Sequence, residues 1–453
     1  MTESNLTDLL IIRARYLFDA EGGEHRNGAS VWIEGSRIAG VYGNEAPATP
    51  SNATVLEYPN GCILPGLMDS HVHLMYGTED RMAGPRSYED VNEVDSDSLM
   101  LLRAVRNGYQ HALMAGVTTM RDAGARGRIT FDLKEGISAE LFKGFPTVQA
   151  SGRPITMTGG HFYFCGEEAD GPDACRQAVR RLAKEGADFI KVMGSGGGTY
   201  ITDNRYASYT VEELRAIVDE AHRHNLICTV HVIASQSIAN AIDAGVDSLE
   251  HYEFIEKDYT RRLDLALAER IIEGNIWLSP TIQTGYRNME ALIKLKEERP
   301  LTDWEEESLT YFSWKQEGQL YVTGKLYELG ARRFVMGTDA ISRFGDHALG
   351  MELMVEAGLP NREVLNSATR NCAEDFGILG EVGTLTPGKI ADITVVDGDP
   401  MKDMSAVSRV IQVVKRGYPL PMESSEMFPH GPGAVTHQTK QGRRPHNPGI
   451  IRD

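Results

Sequence analysis

Six side chains of metal-binding type follow one another along the chain, each at or near the end of a short apolar run. They are His71, His73, Lys191, His231, His251 and Asp339. Imidazole nitrogens and carboxylate oxygens are ligands that Zn²⁺ favours, and a carboxylate can also move a proton. A bound divalent ion polarises carbonyl groups and activates water. The set therefore predicts one metal-dependent site for hydrolysis.

The His-x-His pattern occurs twice, and only one copy suits a metal. On a strand, residues i and i+2 share a face, so His71 and His73 can converge on one ion. His222 and His224 stand in a helical pattern, where i and i+2 point roughly 200° apart. We therefore assign His222 and His224 to a solvated helix face.

Lys191 closes the apolar run Asp188-Phe189-Ile190-Lys191, and a buried lysine is costly unless it is paired or modified. Two interpretations stay open from the residues alone. Lys191 is either a modified side chain at the metal site or one partner of a salt bridge across the site.

The elements that must position these residues form a repeating pattern. Strands are predicted at 62–74, 117–122, 146–151, 188–193, 227–232, 248–253, 276–281 and 333–338, with amphipathic stretches between them. One predicted helix is Ser98–Met114, and another, Thr210–His224, opens with a capping box. Eight strand–helix units indicate an α/β chain with a (β/α)8 TIM barrel, whose strand ends carry the functional groups.

The two chain ends have a different texture, with short apolar runs broken by turn signals. We predict β-sandwich segments at 1–64 and 380–418, joined in one small domain built from both ends, and a barrel over 65–379. Residues 419–453 are rich in Pro, Gly, His and basic residues, and we predict an extended C-terminal arm.

Composition limits the partners. The formal charge of −18 argues against nucleic acid or an anionic membrane as a partner. No apolar run is long enough for a membrane span, the N-terminus lacks a signal-peptide pattern, and the five cysteines are scattered. We expect a cytoplasmic protein with reduced thiols, a small-molecule substrate and a homo-oligomeric state.

Two segments resemble the amidohydrolase superfamily of metal-dependent barrels: Pro65-Gly66-Leu67-Met68-Asp69-Ser70-His71-Val72-His73, and Gly383–Val396 with Pro387-Gly388-Lys389-Ile390-Ala391-Asp392. The resemblance implies two divalent ions, expected to be Zn, with Mn, Co or Fe as alternatives. It assigns His71, His73 and Asp339 to one ion, and His231 and His251 to the other. It implies that Lys191 is carbamylated and bridges both, that a bridging hydroxide attacks a carbonyl carbon, and that Asp339 carries the proton to the leaving nitrogen.

Thr156–His161 and Gly194–Gly198 are similar to segments of the imidazolonepropionase-like and prolidase-like group. That group includes dipeptidases, ochratoxin-type amidases and hydrolases of phenylurea and thiocarbamate herbicides. The resemblance therefore implies hydrolysis of an amide, urea or carbamate C–N bond.

Several loop residues are candidate substrate contacts. His161 either polarises the scissile carbonyl or lines an aromatic pocket, and the alternative is a loop packed on the barrel rim. Tyr163, Tyr200 and Arg205 are further candidates, against a solvated-loop interpretation. Asp122, at the end of a predicted strand, either supports a ligand or pairs with Arg121 or Arg126.

Three alternatives remain. Deaminases of the superfamily carry a Glu three residues after the fifth-strand histidine, where this chain has Ala234, so deamination is disfavoured. Xaa-Pro-type dipeptidases often carry a Tyr two residues after it, where this chain has Ile233, which favours a less charged substrate. A non-catalytic scaffold with the same barrel is the third alternative, although such relatives usually lose ligands.

Overall fold

The computed structural model describes residues 9–22, 24–77, 92–199, 201–341 and 343–422. The predicted substrate contact Tyr200 and residues 423–453 of the predicted C-terminal arm lie outside the described residues.

The strands are β1 (Leu9–Phe18), β2 (Glu24–Glu34), β3 (Arg37–Tyr42), β4 (Thr54–Pro65), β5 (Leu67–Val72), β6 (Val117–Asp122), β7 (Thr147–Ala150), β8 (Ile155–Thr156), β9 (Glu167–Glu168), β10 (Phe189–Met193), β11 (Ile227–Ala234), β12 (Ser248–Ile255), β13 (Trp277–Ser279), β14 (Ile393–Asp397), β15 (Val410–Lys415) and β16 (Tyr418–Pro419).

The helices are α1 (Asp97–Ala115), α2 (Ile129–Ser138), α3 (Pro172–Glu185), α4 (Val211–Arg223), α5 (Ser235–Ala244), α6 (Leu265–Glu273), α7 (Tyr286–Glu298), α8 (Asp303–Leu329), α9 (His347–Glu356), α10 (Asn361–Ser367) and α11 (Arg370–Asp375), with a 3₁₀ turn at Met404–Ser408.

Both chain ends contribute to one seven-stranded sheet of order β16-β15-β14-β4-β1-β2-β3. The contact between the ends is the antiparallel pairing of β4 with β14, in which Ile63 lies opposite Val395. Both side chains belong to a separate apolar cluster that also contains Ile12 and Val31. The division of this unit into two packed layers, and the predicted domain boundaries, stay predictions.

Parallel strands form the central part of the chain. β5, β6 and β7 pair in sequence, and β10, β11, β12 and β13 do the same. The Asp188 amide donates to the carbonyl of Ala150 over 2.9 Å and links the two groups. Residues 334–340 complete the circuit through parallel bridges from Phe334 to Leu278 and from Ala340 to Val72. The arrangement is a TIM-barrel-type α/β fold.

Two of the predicted barrel strands differ from the structure, one in its extent and the other in its pairing. Residues 62–65 of the predicted strand 62–74 lie in the end sheet, and the barrel strand begins only at Leu67. Gly66 lies between the strand of the end sheet and the barrel strand. A side chain is not accommodated there, since a Cβ would collide with Thr118. The predicted strand 333–338 has no regular ladder: it makes one isolated bridge, from Phe334 to Leu278, and the second bridge lies beyond it at Ala340. Its backbone still bonds to both neighbouring strands, since the Val335 amide donates to the Leu278 carbonyl and the Ser70 amide to the Met336 carbonyl.

The helices pack on the barrel strands through the largest buried apolar cluster, in which Ile190 and Val230 of the strands join Leu182 and Ile217 of the helices. Both helices that the sequence predicted are confirmed within one residue at each end. The capping box of α4 is also confirmed, because Thr210 and Glu213 bond reciprocally to each other's backbone. None of the described helices is long and apolar enough to cross a membrane.

Candidate active site

Five of the six predicted ligands lie on parallel strands or just after one, in the middle of the strand or toward its carboxyl end. His71 is on β5 with His73 just after it, Lys191 is on β10, His231 on β11 and His251 on β12. Asp339 lies in the closing segment 334–340, where its amide donates to the His71 carbonyl over 2.8 Å. In parallel strands these ends meet on one face of the barrel.

Three of the ligands form a compact group. One ligand atom from each of His71, His251 and Asp339 lies within 4.8 Å of the others. Oδ1 of Asp339 is also 3.5 Å from Nε2 of both His71 and His73. One carboxylate oxygen therefore faces two ring nitrogens, an arrangement that a shared cation would satisfy.

The fourth histidine joins this group through ring contacts. The ring of His251 lies 5.2 Å from that of His71 and 4.5 Å from that of His231. The four histidines are therefore contiguous, although they come from three different strands.

Lys191 is buried, and its Nζ has no hydrogen-bond partner among the described residues. Burial lowers the pKa of the Lys191 ammonium group, although Glu250 and Asp339 act in the opposite direction. The structure does not support the salt-bridge interpretation of Lys191, since this residue forms no ion pair in the described part of the chain. An unpaired buried amine is costly, so this atom needs a partner that the side chains do not supply.

Hydrogen bonds to the outer ring nitrogens set the tautomers of the histidines. Nδ1 of His71 donates to Oε2 of Glu250 over 2.8 Å, and Nδ1 of His73 donates to the Gly124 carbonyl over 3.0 Å. Nδ1 of His251 shares a 2.6 Å hydrogen bond with the Thr281 hydroxyl. In these three rings Nε2 is the nitrogen that is left to bind a metal at the centre of the site.

In His231 the two ring nitrogens have the opposite roles. Its Nε2 donates to the Gly196 carbonyl over 3.1 Å, so Nδ1 is the nitrogen left for a ligand bond. Burial, followed by the neighbouring His161 and Lys191, holds the pKa of His231 well below its usual range. The ring is therefore neutral at pH 7, the form that binds metals.

The two carboxylates of the centre are ionised. Burial works against the charge of Asp339, but His71 and His73 outweigh it and lower the pKa of the carboxyl group. Burial also opposes the charge of Glu250, and His71 and Lys191 nevertheless lower its pKa to about 2. Negative charge at the centre of a buried site favours the binding of cations.

Glu250 is a site residue that sequence reasoning missed. It precedes His251 on β12 and binds both Nδ1 of His71 and the hydroxyl of Thr229. Adjacent residues of a strand normally point to opposite faces, so a neighbour of the ligand His251 is not expected at the same site. The positive φ of His251, 68°, breaks that alternation and brings both side chains to the site.

Backbone strain accompanies the ligands. His251 and Asp339 both adopt left-handed backbone conformations, with φ of 68° and 53°. Non-glycine residues rarely adopt this region, and when they do the surrounding structure must hold them there. Gly337 contributes to this packing, because a Cβ there would lie 2.5 Å from Ser279 Oγ and 3.0 Å from His71 Cβ.

The structure places the predicted catalytic residue His161 beside the ligands, with its ring 4.6 Å from that of His231. Burial lowers the pKa of His161 to about 3, so the ring is neutral. Its Nδ1 accepts from the Thr199 hydroxyl at 2.8 Å and faces the Thr199 amide at 3.4 Å. The proton of the ring is therefore on Nε2, which packs against Gly197 at a point where a Cβ would come within 2.5 Å.

A cavity adjoins His161 on the side of the loop that follows β10. It is lined by Met157, Gly159, His161, Gly196, Ile201 and Tyr206, among others. The predicted contact Arg205 lies nearby, but its guanidinium already pairs with Asp203 at 2.6 Å and covers the ring of Tyr259 at 4.2 Å. Tyr163 is partly buried and its ring contacts Phe164. Their role in binding substrate stays a prediction.

Asp122 supports the ligand His73 through the backbone. Its carboxylate accepts from the amides of Leu74 at 2.7 Å and Gly124 at 3.1 Å, and the Gly124 carbonyl accepts from His73. The alternative ion pairs of Asp122 are not formed, because Arg121 binds Asp375 and Arg126 binds Asp97.

The look-alike pair His222 and His224 lies on the exposed surface of α4 and its C-terminal cap. His222 pairs with Asp247 at 2.9 Å and His224 with Glu220 at 3.5 Å. Neither contacts the ligands described above.

A TIM-barrel-type fold with grouped histidines and a carboxylate defines the class of this protein, and the sequence comparison agrees with it. The profile of the amidohydrolase family matches residues 62–420, so the chain belongs to the amidohydrolase family. It is accordingly a hydrolase of the class that acts on C–N bonds.

One protein of similar sequence and two solved structures illustrate the similarity. The ochratoxinase of Aspergillus niger is 27% identical over an alignment of 475 positions, gaps included, which covers 97% of this chain and 87% of that protein. The crystal structure of a Xaa-Pro dipeptidase with bound methionine in the active site superposes with a TM-score of 0.77 at 25% identity, over 91% of this chain and 100% of the other. Phenylurea hydrolase B, at 20% identity and a TM-score of 0.75 over 95% of this chain and 99% of the other, shares the fold.

Proposed function

We propose that the protein is a metal-dependent hydrolase that cleaves a C–N bond of a small amide substrate. The observation that carries this proposal is the convergence of His71, His251 and Asp339 within 4.8 Å, next to the unpartnered amine of Lys191. Imidazole rings with fixed tautomers and an ionised carboxylate form a donor set that suits a divalent cation.

The residues fit two ions. His71, His73 and Asp339 would hold one, and His231 and His251 would hold the other. Lys191, as a carbamate formed from CO₂ with loss of one N–H proton, would supply the anionic oxygens between them. When bound, Zn²⁺ or a similar ion acts as a Lewis acid and makes water nucleophilic near neutral pH.

The chain's own groups then orient the substrate and move the proton. The neutral His161 presents its Nε2–H, which is suited to hydrogen-bond the oxygen of the scissile carbonyl. The ionised Asp339 accepts the proton that water loses as its oxygen joins the carbonyl carbon. The same proton passes to the leaving nitrogen as the C–N bond breaks, so the products are a carboxylic acid and an amine.

Amide hydrolysis is favoured over the other reactions of such barrels. Ala234, at the position of the deaminase glutamate, is buried at the end of β11 and offers no proton donor. Resemblance to an ochratoxinase over most of both chains supports an amide as the substrate, with ureas and carbamates as further candidates. A dipeptidase is the second candidate, supported by the dipeptidase structure that superposes on this chain.

The experiment that tests this function compares metal-free and metal-loaded protein. The purified chain is stripped with a chelator, reconstituted with Zn, Mn or Co, and analysed for bound metal. Each form is then assayed against N-acyl amino acids, dipeptides, aryl amides, phenylureas and carbamates. We expect about two ions per chain by analogy with dinuclear hydrolases and cleavage of at least one amide. A chain that binds no metal would revive the scaffold alternative, and ammonia released from a purine or pyrimidine would favour deamination.

A further inference from the structure

One face of helix α8 packs against the fifth and sixth barrel strands, β11 and β12. Trp314 packs with Ile233 and Ile255 in one buried apolar cluster, with Tyr311 against it. Ile233 stands two residues after the ligand His231, on the same strand. The part of α8 that contains residues 311–315 therefore packs against strand residues that follow the ligands His231 and His251 by a few positions.

In this contact region one fully buried cation and one largely buried cation share a carboxylate partner. Glu253, two residues after the ligand His251, pairs with Arg261 at 2.7 Å and with Lys315 at 3.4 Å. Burying charge is costly unless it is neutralised nearby. The carboxylate of Glu253 balances one of the two positive charges. The other carboxylate that acts on Lys315 is that of Asp339, which would be a metal ligand in the loaded site.

Arg261 already uses its donors. Its Nε and Nη1 donate to the carbonyls of Glu253 and Trp314, and its Nη2 donates to the Glu253 carboxylate. It also lies over the Trp314 ring at 4.2 Å and directly beside Gly318, where no Cβ has room. Arg261 is therefore a fixed structural cation that anchors α8 to the end of β12.

Lys315 differs from Arg261 in each of these respects. Its ammonium group has three donors, and its ion pair with Glu253 is long. Its side chain remains 14% exposed, whereas that of Arg261 is fully covered. Burial works against its charge, but Glu253, followed by Tyr311 and Asp339, outweighs it and raises the pKa of Lys315. Lys315 is therefore a charged group with spare donors that interacts electrostatically with the catalytic Asp339.

We propose that Lys315 binds a carboxylate of the substrate, so that the protein selects amides that carry a negative charge close to the scissile bond. N-acyl amino acids have this chemistry. The proposal rests on the proposed function and names its substrate class. It differs from the expectation, drawn from Ile233, of a less charged substrate, because the proposed cation comes from α8 and not from the fifth strand. The chain as a whole carries a formal charge of −18 and repels anions, so an anionic substrate needs a local cation to bind it.

The test compares two substrates that differ only in charge, an N-acyl amino acid and its primary carboxamide. Metal-loaded wild type is assayed beside Lys315→Met, which keeps the shape of the side chain, and Lys315→Arg, which keeps the charge. Lys325→Met is the matched control, since Lys325 lies on the same helix but is exposed and paired with Glu328 at 2.6 Å.

We expect Lys315→Met to raise KM for the acid about 30-fold or more, the value of a charged hydrogen bond. The carboxamide should lose much less kcat/KM than the acid, and Lys315→Arg should recover much of the affinity for the acid. Equal losses on acid and carboxamide, or no loss on the acid, would overturn the proposal.

Failure of the proposed function can be told apart from failure of this inference. If wild type binds metal but cleaves neither compound, amide hydrolysis is wrong, and calorimetry of N-acyl amino acid binding decides on Lys315. Binding to wild type that Lys315→Met loses supports the inference, whereas equal binding, or none to wild type, refutes it.

Discussion

Nε2 of His111 donates a hydrogen bond to Oδ2 of Asp69 over 2.8 Å, and both side chains are completely excluded from solvent. The other oxygen of Asp69 accepts from the amides of His71 and Thr338, each at 3.0 Å. One buried carboxylate thus joins α1, the first barrel strand and the closing segment that carries Asp339.

Replacing His111 by Phe should destabilise the protein and loosen the site together. The change leaves a buried carboxylate short of one partner, which costs about 3 kcal/mol or more. We expect a corresponding fall in the free energy of unfolding in urea and a lower kcat. His224→Phe is the control, because His224 is exposed on the surface. An unfolding free energy equal to that of the control would contradict the assigned role of this pair.

The buried His347 should make the fold sensitive to acid. Burial lowers the pKa of His347 to about 4, while its Nε2 donates to the Met68 carbonyl at 3.0 Å. An unfolded histidine titrates near 6.5. Between these values the unfolded chain binds a proton that the folded chain does not, so stability falls as the pH falls from about 6.5 to 4, by up to about 3 kcal/mol.

His347→Gln removes this titration and keeps a donor for the Met68 carbonyl. The unfolding free energy of the variant should therefore depend less on pH between 7 and 4 than that of wild type. Urea unfolding at several pH values measures the difference, and the exposed His222→Gln serves as control. Parallel pH profiles for wild type and His347→Gln would refute the prediction.

Glu250→Gln should weaken metal binding with little effect on the fold. The carboxylate accepts the Nδ1–H of His71 and so makes Nε2 more basic, and loss of such a partner lowers metal affinity about 10- to 100-fold. Competition with a chelator dye measures the affinity. Glu273→Gln, at an exposed position, should bind metal as wild type does, and a matching affinity for Glu250→Gln would rule out this role.

His161→Phe should reduce kcat while metal content stays that of wild type. Loss of a donor to the reacting carbonyl oxygen lowers kcat about 100-fold or more. Thr199→Val should cause a smaller reduction, because it removes only the hydroxyl bonded to Nδ1 at 2.8 Å. Metal analysis beside kinetics separates the two roles, since a variant depleted of metal would make His161 a ligand-supporting residue instead.

Lys191→Ala decides between one ion and two. If a carbamate on Lys191 bridges two ions, the variant should be inactive and depleted of metal, and short carboxylic acids such as acetate should restore part of both. Lys191→Arg should be inactive too, because a guanidinium does not form the carbamate. A near-normal rate for Lys191→Ala would exclude the dinuclear arrangement.

The sequence was sufficient to predict the helix–strand alternation and the positions of the candidate ligands, because a histidine at the end of an apolar run is visible in one dimension. The partners of those ligands were not visible. Glu250 reaches His71 from a strand 179 positions away, and His111 reaches Asp69 from a helix. Lys315 was missed because α8 gives no periodic signal at that point and its ion pair depends on how the helix packs.

The end sheet has a consequence for the order in which the molecule can fold. β14 fills the place between β4 and β15, and Ile63 meets Val395 only after more than three hundred intervening residues have been synthesised. During translation, β4 keeps one open edge until nearly the whole chain has left the ribosome. The barrel segment is therefore synthesised before β4 of the end sheet can pair with β14. A chain truncated before β14 would leave that edge of β4 exposed to other molecules.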